Sequence, residues 1–154
     1  MISVKLRDLY DEDRAAVIAM LRDPKVMKFL GPHRALTESE AESWFRDALA
    51  NRSRLTIART DTDEFIGFCG IKQVDGVLDF GYFISSEFWG NGIAVLACKL
   101  AVKKLATEIN LNDVQVFIAE DNIASQKVVR KLGWPAIGAG VKNGEHGQYY
   151  RITI

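Results

Sequence analysis

The chain has 154 residues, of which 48% are apolar and 26% are charged, and its 20 Lys and Arg residues balance 20 Asp and Glu residues. This length suits one ordinary domain with a buried core, and the composition excludes a disordered or fibrous chain. The charge balance argues against a nucleic-acid binder that works through bulk positive charge. Because no repeat, low-complexity tract or linker interrupts the sequence, we expect residues 1–154 to form a single domain.

Metal binding, secretion and membrane insertion are all disfavoured by the same sequence. Cys69, Cys98, His33 and His146 are isolated and lack the spacing of metal ligands, so we expect no metal site. The charged N-terminal segment cannot act as a signal peptide, and the apolar run 93–98 is far shorter than the roughly 18 residues of a membrane span. We therefore expect a cytoplasmic protein that binds neither membrane nor nucleic acid.

The first part of the chain predicts one strand and one helix. Residues 2–6 alternate apolar and polar side chains, which is typical of a strand. Asp11 or Asp13 can cap a helix that runs through Leu21, and Pro24 is expected to stop it.

A second helix and three strands follow. Thr37 and Glu40 have the spacing of a capping box, and one apolar face follows them at helical periodicity. Alternating or apolar runs over 55–59, 65–71 and 77–84 then predict three strands joined by short polar turns.

The last part of the chain predicts two more helices and three strands. A buried helix over 93–109 precedes a strand over 114–118, and a short helix over 123–132 ends at Gly133. Asn143-Gly144 is a strong hairpin signal, and alternation after this turn continues to the last residue. The order β-α-α-β-β-β-α-β-α-β-β predicts an α/β protein with a mixed sheet and helices on both faces.

The chemistry is concentrated where the strand at 77–84 runs into a loop containing Gly90 and Gly92. This loop opens directly into the buried helix, so glycine turns and the unpaired N–H groups of the first helical turn form a predicted cradle for pyrophosphate. A plain strand-to-helix turn is the alternative. Two nucleotide motifs do not fit, since Val95 is too bulky for the dinucleotide fingerprint and Ala139 replaces the lysine of a P-loop.

Two blocks of this sequence resemble those of the GNAT N-acetyltransferase superfamily. The segment Trp89-Gly90-Asn91-Gly92-Ile93-Ala94 looks like its acetyl-CoA pyrophosphate loop. The block Asn122-Ile123-Ala124-Ser125, followed by Lys131-Leu132-Gly133-Trp134, is similar to the block beside the coenzyme arm. The run from Phe88 to Ala94 most resembles the Rim-type branch, which includes acetyltransferases of ribosomal-protein N-termini. Trp89 departs from the Arg or Gln of the superfamily but not from this branch.

The resemblance implies both a fold and an activity. The fold would be a single-domain, GNAT-like, mostly antiparallel sheet whose fourth and fifth strands splay apart to form a coenzyme cleft. The activity would be acetyl-CoA-dependent transfer of an acetyl group to a primary amine, by direct attack in a ternary complex. The amine would be a protein N-terminus or a small molecule. A non-catalytic acyl-CoA-binding sensor or scaffold is the alternative, because Val129 stands where many relatives carry a tyrosine.

The resemblance also implies the site residues. Ser125 is the candidate proton donor to the departing sulfur, and Asp79 or Glu87 is the candidate base that takes the proton of the amine. Each has an alternative, since Ser125 could face solvent and Asp79 could pair with a neighbouring Lys or Arg. Coenzyme contacts would involve the backbone of Phe83 and Ile84, the side chains of Asn122 and Ser125, and the loop residues Trp89, Gly90, Asn91, Gly92, Ile93, Ala94 and Val95. The alternatives are sheet core for Phe83 and Ile84 and a helix N-cap for Asn122.

The sequence indicates the acceptor pocket and the oligomeric assembly less specifically than it indicates the coenzyme site. The family forms its acceptor pocket from the loop between the first two helices and from the last hairpin, here 29–34 and 141–149. His33, Arg34, Trp44 and His146 are candidate acceptor contacts, although Trp44 fits the core better. The segment 149–154 predicts a long, little-charged edge strand, and such edges pair with further strands. A homodimer formed through this edge is therefore one expected assembly.

Overall fold

The computed structural model describes residues 2–154 as one sheet with helices against it. The strands are β1 (Val4–Arg7), β2 (Leu55–Arg59), β3 (Phe65–Val74), β4 (Val77–Ile84), β5 (Val114–Ala119), β6 (Ala136–Lys142) and β7 (Glu145–Tyr150). The helices are α1 (Arg14–Leu21), α2 (Pro24–Met27), α3 (Glu38–Asn51), α4 (Ile93–Leu105) and α5 (Ile123–Leu132). The sheet has seven strands in the order β1-β2-β3-β4-β5-β7-β6. Neighbouring strands are antiparallel except β4 and β5, which are parallel, so the predicted mixed and mostly antiparallel sheet is confirmed.

The sheet opens between β4 and β5. These strands pair only where Leu78 meets Val114 and Asp79 meets Gln115. Beyond Asp79, β4 continues to Ile84 against β3, while β5 continues against β7. The two strands therefore splay apart, as predicted, and leave backbone groups of β4 facing a gap.

Both faces of the sheet are covered by helices. Phe68 and Cys69 are neighbours in β3 and belong to different cores, because successive side chains of a strand point to opposite faces. Helices α4 and α5 cover the face of Cys69, and helices α1 and α3 cover the face of Phe68. Among residues 2–154, no helix is both long enough and apolar enough to cross a membrane.

The start of α3 confirms the predicted capping box. The Glu40 N–H donates to Thr37 Oγ1 at 3.2 Å, and the Thr37 N–H donates to Glu40 Oε1 at 2.8 Å. Arg34 Nη1 also donates to Glu40 Oε1 at 2.8 Å, which fixes the loop before α3 onto the helix. Hydrogen bonds from Arg34 and from the Thr37 N–H lower the pKa of Glu40 to about 2.

The first helix begins beside a buried ion pair and ends differently from the prediction. Arg7 Nη1 donates to Asp13 Oδ2 at 2.8 Å, with these side chains only 8% and 7% exposed. Pro24 does more than stop α1, because it is the first residue of the short helix α2. Asp23 caps this helix by accepting the Lys25 N–H at 2.9 Å, and proline fits a first position, where its missing N–H is not needed.

The C-terminal hairpin corrects the predicted sheet edge. Asn143 and Gly144 have φ angles of +51° and +80°, as their turn requires. Strand β7 ends at Tyr150 and lies between β5 and β6, so the predicted edge strand over 149–154 is wrong. The edge is β6, since the hairpin folds back to place its second strand against β5. The structure therefore does not provide residues 149–154 as a free edge for the expected homodimer.

Candidate active site

The gap between β4 and β5 leads to two cavities that meet at the same residues. An outer groove of about 580 Å³ runs along α2, the loop before α4, and α5. An inner cavity of about 450 Å³ lies among the loop after α2, β4, β5 and the last hairpin. The two cavities share six lining residues: Phe29, Leu30, Tyr82, Phe83, Asn122 and Ser125. A molecule in the groove and a second one in the inner cavity would meet at this junction.

The glycine loop presents unpaired N–H groups to the groove. Gly90 and Gly92 have φ angles of +81° and +72°, which favour glycine. Nothing in the described part of the chain lies within 4 Å of where their Cβ atoms would stand, so the loop is open on that side. The Leu96 N–H donates to Gly92 O at 3.3 Å, and the N–H groups of 93–95 precede this first bond of the helix. The loop can therefore hold an anion.

Trp89 and Asn91 brace this loop. Trp89 Nε1 donates to Ile84 O at 2.9 Å, which fastens the loop to the end of β4. The Trp89 backbone N–H donates to Ser86 O at 3.1 Å and is therefore already used. Asn91 Nδ2 donates to Phe88 O at 3.0 Å. The open N–H groups thus belong to Gly90, Gly92 and the first turn of α4 rather than to Trp89.

The backbone of β4 offers further donors to the gap. The Ser85 N–H donates to Ile66 O at 2.9 Å, so Ser85 turns its backbone toward β3. Because this direction alternates along a strand, Tyr82 and Ile84 turn their N–H groups to the open side, whereas Phe83 turns its own toward β3. Phe83 lines both cavities, and its ring centroid lies 5.8 Å from that of Trp44.

Ser125 stands at the junction beside a tyrosine that the sequence analysis missed. Tyr82 Oη donates to Ser125 Oγ at 2.9 Å. Burial raises the pKa of Tyr82, so the phenol stays protonated and able to donate. Asn122 Oδ1 accepts the Ser125 N–H at 3.2 Å, so Asn122 caps α5 while lining both cavities.

The two candidate bases occupy different places. Asp79 lines the inner cavity, where Lys142 Nζ donates to its Oδ1 at 2.7 Å and Arg54 Nη2 donates to its Oδ2 at 3.1 Å. The ion-pair alternative for Asp79 is therefore what the structure shows. Glu87 is exposed in the 3₁₀ turn Ser86–Phe88 and lines neither of the two cavities. The structure does not bring Glu87 together with Asp79 or Ser125.

Arg54, which the sequence analysis also missed, lies across β4. A Cβ added at Gly81 would stand 3.1 Å from its Nη2, so the missing side chain makes room for the guanidinium. Its Cζ lies 5.9 Å from the centroid of the Phe83 ring. Burial lowers the pKa of this guanidinium, and the Asp79 charge opposes that shift. A glycine in the middle of an apolar strand was the available signal, since it marks a close approach.

Four lysines add positive charge to the outer groove. Lys25 and Lys28 lie on or beside α2, and Lys127 and Lys131 lie one turn apart on α5. The spacing of Lys127 and Lys131 could be seen in the sequence. The sequence did not indicate that these two lysines lie near Lys25 and Lys28. These cations and the open N–H groups are a donor set that fits the phosphates of a coenzyme.

The remaining acceptor candidates separate clearly. His33 lines the inner cavity, with its Nδ1 3.5 Å from Glu145 Oε1. Trp44 packs edge-on against Phe68 at 5.2 Å and also lines the cavity, whereas Arg34 and His146 do not line it. No group of three or more His, Cys, Asp or Glu residues able to hold a metal occurs in the region from residue 2 to residue 154.

Comparison with known proteins agrees with this cleft. The family profile described as an acetyltransferase (GNAT) domain matches residues 3–134. The spermidine N(1)-acetyltransferase of Escherichia coli strain K12 is 28% identical over 160 residues, which cover 99% of this chain and 86% of that protein.

Solved structures share the fold. A GNAT-family acetyltransferase from Bacillus anthracis superposes with a TM-score of 0.80 at 18% identity, over 97% of this chain and 93% of that one. The aminoglycoside acetyltransferase AAC(6')-Ib, solved with ribostamycin and coenzyme A, gives a TM-score of 0.77 at 18% identity, over 98% and 93% of the two chains. Because the family profile spans β1 to α5, and so the whole coenzyme side of the cleft, this chain belongs to the GNAT acetyltransferase family.

Proposed function

We propose that this chain transfers the acetyl group of acetyl-CoA to a primary amine by direct attack in a ternary complex. The observation that carries the proposal is the meeting of the outer groove and the inner cavity at Tyr82, Phe83 and Ser125. The groove has the donors for an anionic coenzyme, and the inner cavity has charged and aromatic walls for an acceptor. Two substrates held in line at one junction gain much of the rate of such a reaction from orientation alone.

The coenzyme side binds and polarises. Acetyl-CoA supplies an already activated thioester when it is bound. The open N–H groups of 90–95 and the four groove lysines hold its phosphates. The N–H groups of Tyr82 and Ile84 face the gap and bond the pantetheine arm, and one of them polarises the thioester carbonyl. The backbone contact with the coenzyme that was expected of Phe83 is thus assigned to Tyr82 and Ile84 instead. Asn122, at the start of α5, lies beside the same arm.

Ser125 assists the departing sulfur. Because Tyr82 donates its own proton to Ser125 Oγ, the Ser125 hydroxyl proton is left to point elsewhere, and the thiolate is the acceptor that the junction would offer. Tyr82 acts here as a positioning residue that orients and polarises Ser125. Ser125 and Tyr82 together take the place of the tyrosine that many relatives carry at the position of Val129. This arrangement favours an enzyme over the sensor alternative.

Asp79 takes the proton of the amine through water. A strand rises about 3.3 Å per residue, so Asp79 lies roughly 13 Å along β4 from Phe83, too far for direct contact with an amine at the junction. Its two oxygens are held in place by Lys142 and Arg54, and ordered water between carboxylate and amine would carry the proton. Glu87 is the second candidate.

Two substitutions test these roles. Asp79→Asn should lower kcat/KM by ~10²–10⁴, the range for general acid–base catalysis, and the loss should shrink as pH rises and the amine arrives neutral. Ser125→Ala should lower kcat without that recovery, because the thiolate needs its donor at every pH. Neither variant should change acetyl-CoA affinity by a large factor. Glu87→Gln tests the second candidate base and, because Glu87 lines neither cavity, should behave like the unaltered protein.

The outcomes separate the alternatives. If Glu87→Gln loses activity and Asp79→Asn keeps it, the roles of the two acids are exchanged. If acetyl-CoA binds but no amine is acetylated and neither substitution has an effect, the sensor alternative replaces the enzyme.

Two finer assignments accompany this proposal. The run from Phe88 to Ala94 supports a place in the Rim-type branch, because it repeats the pattern of that branch with Trp89 in it. A cytoplasmic location is supported by Cys69 and Cys98, which are free and buried, as suits a reducing compartment.

A further inference from the structure

The inner cavity carries more positive than negative side chains. Its charged walls are three cations, Arg54, Lys72 and Lys142, and two carboxylates, Asp79 and Glu145. A polyamine or an aminoglycoside brings several positive charges and would be repelled by such walls.

One of the two carboxylates is already occupied. Asp79 accepts one bond from Lys142 and one from Arg54, and Glu145 lies 3.5 Å from His33. Both oxygens of Asp79 are therefore taken by cations, which leaves only Glu145 to receive a second ammonium group of an acceptor.

The cations, by contrast, have unused donors. Lys72 lies directly opposite Asp79 in the β3–β4 register, yet no carboxylate within the described residues lies within 4.0 Å of its nitrogen. Lys142 has three donors and uses one on Asp79. The cluster therefore has positive charge that the carboxylates of the cavity do not neutralise.

Arg54 is the fixed member of this cluster. Its side chain is only 15% exposed, and its Nε lacks a hydrogen-bond acceptor among residues 2–154. Gly81 makes room for it and the Phe83 ring lies against it. A desolvated guanidinium with a single carboxylate contact attracts an anion strongly, because water does not screen it.

We propose that the acceptor is an amine that carries a carboxylate close to its nitrogen, and that Arg54, Lys72 and Lys142 hold this carboxylate. The inference rests on the proposed function and names its substrate class. Gly81, under the guanidinium, lies two residues from Phe83, so a carboxylate bonded to Arg54 would lie ~7 Å along β4 from the amine. Free amino acids and peptides with an acidic first residue both satisfy this chemistry.

An acceptor panel tests the inference with the full chain and acetyl-CoA. The free-amino-acid arm compares glycine with glycinamide, and γ-aminobutyrate with its amide. The peptide arm compares peptides whose first residue is Asp with matched peptides whose first residue is Asn, and every peptide in this arm has an amidated C-terminus. Spermidine and ribostamycin represent polycations. In the arm that contains the true source, the carboxylated acceptor should exceed its amide by roughly 10- to 100-fold in kcat/KM, as expected for hydrogen bonds to a charged group.

Two variants then localise the effect. Lys142→Gln and Lys72→Gln should each raise KM for the carboxylated acceptor several-fold more than KM for its amide, and should leave acetyl-CoA affinity unchanged. Lys103→Gln, on an exposed lysine of α4, is the matched control and should change neither KM. A general loss of folding or of base strength would affect both acceptors equally, so the ratio of the two KM values is the decisive readout.

Each result decides the matter. Equal use of acids and amides, preference for a polycation, or an unchanged KM ratio in both variants overturns the inference while the acetyltransferase remains. Binding of acetyl-CoA without transfer to any amine rejects the proposed function, and the inference with it.

Discussion

Replacing Gly92 by alanine separates coenzyme binding from fold stability. Gly92 directly precedes α4 and has a φ of +72°, and Gly133 directly follows α5 and has a φ of +76°. Within the described chain nothing lies within 4 Å of a Cβ at either position. Both substitutions should therefore destabilise the fold by a similar amount, roughly 1–2 kcal/mol, because an L-residue is strained in the left-handed region. Only Gly92 lies on the outer groove, so only its variant should lose the coenzyme.

The size of that loss follows from the open N–H groups. If the substituted alanine keeps the φ of Gly92, its methyl group stands on the side from which the diphosphate approaches. If the alanine relaxes to negative φ, the N–H groups of the first turn of α4 point away. Either way at least one hydrogen bond to a charged group is lost, which corresponds to about 1.5–3 kcal/mol, or roughly 10- to 100-fold in Kd.

Calorimetric titration with acetyl-CoA and thermal unfolding of the same samples measure both quantities. Gly92→Ala and Gly133→Ala should each lower Tm by ~2–8 °C. Acetyl-CoA affinity should fall only in Gly92→Ala. Equal affinities for the two variants and the unaltered chain, with Tm lowered in both, would refute the assignment of the loop.

The remaining predictions concern the scaffold. Asp13→Ala leaves the buried guanidinium of Arg7 with Asp63 as its remaining carboxylate partner and should lower the free energy of unfolding by about 1.5–3 kcal/mol, as expected for hydrogen bonds to a charged group; a loss under about 0.5 kcal/mol in urea titrations would contradict this. Gly147→Ala should severely destabilise the fold, because its Cβ would collide with a carbonyl oxygen of β5, whereas Gly138→Ala in the paired strand has free space and should keep a native circular dichroism spectrum and Tm. Hydrogen bonds from Arg34 lower the pKa of Glu40 from 4.5 to about 2, so its contribution is fully present above 4.5 and fades as pH falls toward 2. Glu40→Gln should therefore flatten the pH dependence of Tm between these values, and an unchanged slope would show that the cap contributes nothing.

Local patterns predicted most of the elements. The capping box at Thr37, the Asn143-Gly144 turn and the glycine end of α5 each act within a few residues, so the sequence displays them directly. The sequence pattern predicts Pro24 only as a stop signal, although proline also suits the first residue of a helix and Asp23 before it is a capping residue.

Local sequence patterns do not predict the order of the strands in the sheet. The alternation through Tyr150 is the same for an edge strand and for an interior strand, because it reports only which side chains share a face. The place of β7 between β5 and β6 depends on pairing with a strand some thirty residues away.

The site was predicted on its coenzyme side and missed on its acceptor side. The loop at Gly90 and the serine at 125 belong to contiguous motifs. Arg54, Tyr82 and Lys142 belong to none, and they converge only when register and topology bring the start of β2, β4 and β6 together with α5. Their roles can be inferred only from the distances between their side chains and the other residues of the site.

The most direct test of the central claim is the mass of the acceptor after incubation with acetyl-CoA and the protein, measured alongside release of the free CoA thiol. The account predicts an amine that gains one acetyl group for each thiol released, at a rate that Ser125→Ala reduces. Tight binding of acetyl-CoA with no thiol released above buffer, across carboxylated amines, peptides and polyamines, would contradict it.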